Sequence, residues 1–150
     1  MPSFMIDTTV DINAGPDAVW EVLTDFAGYN AWNPVMRIEG VPEVGTKLVV
    51  HLTGGMSFKP KVLAATTGKE LRWLGKLGLC GIAAGEHFFV LTTSADGTTR
   101  LHHGERYSGA LIALAKDDSR NNDAGYEASS EALKHRVEHL HRTSMTTSGE

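Results

Sequence analysis

The chain has one cysteine, Cys80, so no internal disulfide can form. A reducing compartment is the default expectation for such a chain. No apolar run approaches the roughly 20 residues of a membrane helix, so no stable membrane anchor is expected. Clustered basic charge is missing as well: 14 Lys and Arg stand against 18 Asp and Glu, a net charge of -4. That balance argues against a nucleic-acid or anionic-lipid surface. Met1-Pro2-Ser3 leads into a strand without a basic stretch and apolar core, so the expectation is no secretory leader and a cytoplasmic location. The sequence reads without repeats, so the expectation is one domain over 1–142 and a polar tail over 143–150. Gly75, Gly78, Gly81 and Gly85 lack the Gly-Lys-Ser/Thr ending of a phosphate loop. His135 and His139 stand four apart without a third ligand, and Glu138 is misplaced for a His-Glu-x-x-His helix. No metal and no cofactor are therefore expected.

What is present is a clear succession of periods. Phe4 to Asn13 alternates as a first strand, with Phe4, Ile6, Val10 and Ile12 on one parity. Ala14-Gly15 breaks it, and Pro16 suits a first helical position because its missing N–H costs nothing there. Val19, Trp20, Leu23 and Phe26 follow at helical spacing. Thr24-Asp25 can end this helix and cap a short second one over Phe26 to Trp32, before Asn33-Pro34 forces the chain out of helix. Val35 to Val41, Thr46 to Thr53, Ser57 to Thr66 and Glu70 to Leu74 read as strands. Pro60 makes the third of these an edge strand or a bulged one.

Lys76 to Gly85 is glycine-rich and reads as a rim loop that includes Cys80, with glycines that permit the motion of a lid. Glu86 to Ser94 and Thr99 to Gly109 flank Asp96-Gly97, a hairpin signal. Leu111 to Leu114 continues apolar, and Lys116 to Asn122 is a polar connector. Asp123 can cap a last helix over Ala124 to about Arg142. Its apolar stripe is Tyr126, Ser130, Leu133, Val137 and Leu140.

Certain residues carry a family resemblance: Pro16, Val19-Trp20, Leu23, Asp25-Phe26, Tyr29 and Trp32-Asn33-Pro34. To these add Val44-Gly45-Thr46, Phe58-Lys59-Pro60, Leu71-Arg72-Trp73, Gly85-Glu86-His87, His103-Gly104-Glu105 and Ala132-Leu133-Lys134. Together they resemble the START-like (SRPBCC) superfamily, in its bacterial polyketide-cyclase/dehydrase-like branch. The resemblance implies an α+β helix-grip fold: a curved antiparallel sheet wrapped around a long C-terminal helix, with two short helices after the first strand. It also implies an apolar cavity between sheet and last helix. Family members include lipid carriers, hormone receptors, aromatase/cyclases and stress proteins.

Alternation then selects residues for that cavity. Leu101, His103, Glu105 and Tyr107 share one parity of the late hairpin; the resemblance favours His87 and Phe89 inward on its partner strand. His87, His103 and Glu105 should lie within one or two ladder rungs. They are the candidates for proton transfer, with a structural Glu-His pair as the alternative. Trp73, Phe58 and Phe89 line or fill the hollow, and Tyr126, Ser130 and Leu133 roof it. Trp32 and Tyr29 either line its mouth or anchor the helix pair. His51, Arg72 and His102 should point outward. The expected partner is a hydrophobic small molecule, lipid- or polyketide-like. The alternatives are an enzyme of the cyclase/dehydratase type and a non-catalytic protein-interaction module.

Overall fold

The computed structural model describes residues 3–77, 83–109 and 123–148. Cys80, the apolar stretch at 111–114 and the polar connector at 116–122 lie outside the described residues. Strand β1 (Ser3–Ile12) leads to helix α1 (Pro16–Thr24) and a 3-10 helix (Phe26–Ala31). Strands β2 (Met36–Glu39), β3 (Val49–Leu52), β4 (Ser57–Phe58), β5 (Lys61–Thr66), β6 (Glu70–Leu77), β7 (Ala83–Thr93) and β8 (Thr99–Ser108) follow, and helix α2 (Asp123–Ser148) closes the chain. Five strands form one sheet in the order β1-β8-β7-β6-β5, and three form another in the order β2-β3-β4. Every pairing is antiparallel. This is the α+β helix-grip architecture.

Local chemistry explains most boundaries. Pro16 opens α1, Asp17 sits in its first turn, and Val19, Val22 and Leu23 are its buried face. Asp25 precedes the 3-10 helix but makes no side-chain cap. The Tyr29 hydroxyl instead ties the two helices, donating to the Leu23 carbonyl at 2.5 Å. The expected strand Ser57 to Thr66 divides into β4 and β5, which belong to different sheets. Pro60 lies at the break, where the missing N–H cannot continue a ladder. A register shift between Val62 and Ala64 then places Ala65, not Ala64, opposite Leu71. Strand β6 runs past Leu74, and Ala83 to Gly85 already pair with it. The ends of the expected loop Lys76 to Gly85 are therefore sheet.

The core lies between the five-stranded sheet, α1 and α2. Ile12, Val19, Leu23, Val62, Leu71, Trp73, Leu101, Leu133 and Val137 are all buried. Helix α2 packs chiefly on β1 and α1 and also reaches β8. Leu140, placed on the buried stripe by spacing, is 41% exposed. The Lys134 ammonium donates to the Asp11 carbonyl and to Glu138, which in turn accepts from the Asn13 amide. These bonds tie α2 to the end of β1.

Candidate functional site

Two rungs of the sheet carry the site. Leu71, Phe89, His103 and Thr8 pair across β6, β7, β8 and β1; two residues on, Trp73, His87, Glu105 and Ile6 do the same. Pleating sends every second side chain to one face, so these two rows share the inner face. His87, Phe89, His103 and Trp73 are each less than 5% exposed. Two rings lie flat on aromatic neighbours: Trp73 on His87 at 4.7 Å, and Phe89 on His103 at 4.3 Å.

A continuous polar chain crosses from sheet to helix. The Ser130 hydroxyl is 2.8 Å from His103 Nδ1. His103 Nε2 is 2.7 Å from His87 Nε2. His87 Nδ1 lies 3.6 Å from Glu105 Oε2. The Tyr107 hydroxyl donates to the same oxygen at 3.1 Å, and the Tyr126 hydroxyl donates to it in a very short bond. The two tyrosine oxygens are 3.0 Å apart.

Proton positions follow from these partners. Burial pushes the Glu105 carboxyl up, but bonds from His87, Tyr126 and Tyr107 outweigh it and hold it below its ordinary value. An ionised Glu105 can only accept, so the nitrogen facing it, His87 Nδ1, carries a proton. One proton fits between the two Nε2 atoms. In the tautomer that places it on His103, the lone pair of His103 Nδ1 faces the Ser130 hydroxyl. Burial and the neighbouring His87 hold His103 well below the usual imidazole range, against a weaker opposite pull from the Tyr126 backbone. Tyr107 is pushed up to about 12 by burial and the Glu105 charge, and Tyr126 is raised by the same two causes. Both phenols therefore stay protonated donors.

The residues singled out from sequence divide into groups. His87, His103, Glu105, Tyr107, Tyr126 and Ser130 form the bonded cluster, with Trp73 and Phe89 stacked against it. Leu133, buried near Ser130 on α2, belongs to the core. Phe58 is half-buried, and its ring leans over Gly75. Trp32 meets the Tyr29 ring at a tilt, with centroids 4.7 Å apart. His51 faces outward to Glu39 and Ser57. Arg72 bonds Glu70 and Glu86 on the outer face and lies over Phe88, so it is only half-exposed. His102 lines an outer-face hollow of about 350 Å³ with Met5 and Phe88.

Gly85 was missed by reading it as loop. It pairs with Gly75 on one side and Tyr107 on the other. A Cβ there would stand 2.5 Å from Glu105 Oε1, so the glycine makes room for the carboxylate. The inward parity of Gly75 and Gly85 with Trp73 and His87 was the available signal.

Trp73 Nε1 was missed too. It is buried and has no hydrogen-bond partner among the described residues. A buried unpaired donor costs about 1–3 kcal/mol, so it marks a place where an acceptor is expected.

The family model described as polyketide cyclase / dehydrase and lipid transport matches residues 3–138, and the chain belongs to that family. Solved structures share the fold. A Mesorhizobium loti protein is 22% identical, with a TM-score of 0.70 over 93% of this chain and 98% of that one. A START superfamily protein from Mycobacterium smegmatis is 18% identical, with a TM-score of 0.68 over 91% and 98%. The Zhui aromatase/cyclase of a Streptomyces species is 19% identical, also at 0.68, over 91% and 94%. No curated protein matches the chain. Among the described residues, no helix is long and apolar enough to cross a membrane.

Proposed function

We propose that this protein binds a small hydrophobic molecule bearing an oxygen acceptor, held between the inner sheet face and α2. The observation that carries this reading is the buried Trp73 Nε1, without a partner among the described residues, in an aromatic wall beside His87. An apolar ligand would cover the Trp73, Phe89 and Phe58 faces, and its carbonyl or phenolic oxygen would accept from the indole. Sites of this kind combine broad apolar walls with a few placed polar groups. The family's description, which joins lipid transport and polyketide chemistry, agrees with that ligand class.

Titration of matched ligand pairs, a ketone and its hydrocarbon counterpart, tests the reading. Trp73→Phe keeps most of the ring but removes the donor. It should weaken the ketone about 3- to 10-fold, as expected for one neutral hydrogen bond, and leave the hydrocarbon nearly unchanged. Equal losses for both would overturn the assignment of the indole.

A second reading is supported by the proton chain itself. A carboxylate kept ionised and an imidazole kept neutral are the pair that acid–base chemistry of the cyclase/dehydratase type requires. Under this reading Glu105, His87 and His103 act on the bound ligand, and Glu105→Gln would stop turnover while sparing affinity.

A further inference from the structure

Serine and threonine inside helices ordinarily satisfy their hydroxyl on the carbonyl one turn back. Thr24 does so toward Trp20, and Thr143 does so toward His139 in α2 itself. Ser130 differs. The residue is 3% exposed, and its hydroxyl meets His103 Nδ1 at 2.8 Å. Behind that nitrogen stands His87 at 2.7 Å, and behind His87 stands Glu105. A hydroxyl, a base within hydrogen-bond reach and an orienting chain that ends in a carboxylate are the arrangement of an activated nucleophile.

We infer that Ser130 is a nucleophile that accepts acyl groups from activated esters or thioesters of apolar acids. The inference rests on the reading that an apolar ligand inserts between sheet and α2. Ser130 Oγ attacks the acyl carbon and forms an ester bond as the bond to the leaving alcohol or thiol breaks. The Oγ proton passes to His103 Nδ1, and the His103 Nε2 proton moves to His87 Nε2. The positive charge then rests on His87 beside Glu105, whose carboxylate stabilises it. Reversal of the two transfers protonates the leaving group. Water then attacks the acyl-serine by the same route, releasing the acid and restoring Ser130. His103 takes the proton of the reacting oxygen; His87 and Glu105 act through it as positioning residues.

The test uses the full chain with p-nitrophenyl hexanoate, acid quenching, intact mass and peptide mapping. Hexanophenone displacement of bound anilinonaphthalene sulfonate reports binding separately. The expected result is one hexanoyl group on the peptide that contains Ser130, absent in Ser130→Ala. In His103→Gln its formation should slow about a hundredfold or more. Glu105→Gln should alter the pH profile of acylation while hexanophenone still binds. Hexanophenone binding without acylation of Ser130, or acylation at an equal rate in His103→Gln, would overturn the nucleophile and leave the ligand site standing. Failure of hexanophenone to displace the dye from folded protein would overturn both.

Discussion

His103 should make this protein acid-sensitive in a way that one substitution removes. The ring is 1% exposed, packed flat on Phe89 and bonded to Ser130 and His87. Burial and His87 depress its folded pKa well below the reference 6.5, so the folded state resists a proton that the unfolded chain accepts. The sign follows directly. Below the unfolded value, the unfolded state binds more protons than the native state, and stability falls as pH falls. Above it the linkage disappears. Integrating one proton from pH 6.5 to 5.5 gives a loss of about 1 kcal/mol, and each further unit costs about 1.4 kcal/mol until the folded pKa is reached.

The measurement is urea unfolding, followed by tryptophan fluorescence, at half-unit steps from pH 8 to 5. His103→Gln should be less stable at pH 8 by about 2 kcal/mol, because two buried hydrogen bonds are disturbed. Its stability should then fall less steeply below pH 6.5, by close to one proton's slope. Parallel curves for wild type and variant would refute the argument that His103 is held neutral by its surroundings.

Gly85→Ala should cost about 1–3 kcal/mol in the same unfolding assay, because its Cβ must displace Glu105 Oε1 from 2.5 Å. Adding Glu105→Ala should recover most of that loss, and a strictly additive double mutant would show that the two sites are independent. Gly104→Ala should be worse, at about 3 kcal/mol or more, since its Cβ would overlap the Ile6 carbonyl oxygen on β1, which is backbone and cannot swing aside. Soluble, cooperatively folded Gly104→Ala of near wild-type stability would contradict the close β1–β8 approach. Tyr126→Phe removes a donor from Glu105, so the carboxyl should titrate higher, toward the reference 4.5 or beyond, in carbon-13 NMR. The native state's acid tolerance shrinks accordingly, because a depressed carboxyl gives stability that is present above the unfolded value and lost as pH falls through the folded one.

Alternation in the late hairpin was legible before any coordinates. Asp96-Gly97 set the register, and period two then placed Leu101, His103 and Glu105 on one face. Pro16 and Asn33-Pro34 set the limits of the helix pair for reasons local to the backbone. Other boundaries were not local. The division at Pro60 and the extension of β6 and β7 past Gly75 and Gly85 depend on which neighbour supplies the ladder bonds. Leu140 fits the helical stripe by spacing, yet stays exposed, because burial is decided by where the sheet ends rather than by period.

Period and punctuation thus placed His103, Glu105, Tyr126 and Ser130 on inward faces, whereas His87 came from the family resemblance, because its strand is apolar on both faces. Only the tertiary structure decided what they do there. The helix had to dock at one rotation for Ser130 to meet His103, two rungs had to align for one imidazole to face another, and Gly85 had to leave room for a carboxylate. Those are distances between elements far apart in the chain. No local rule sets them, because each depends on how the packed layers settle against one another.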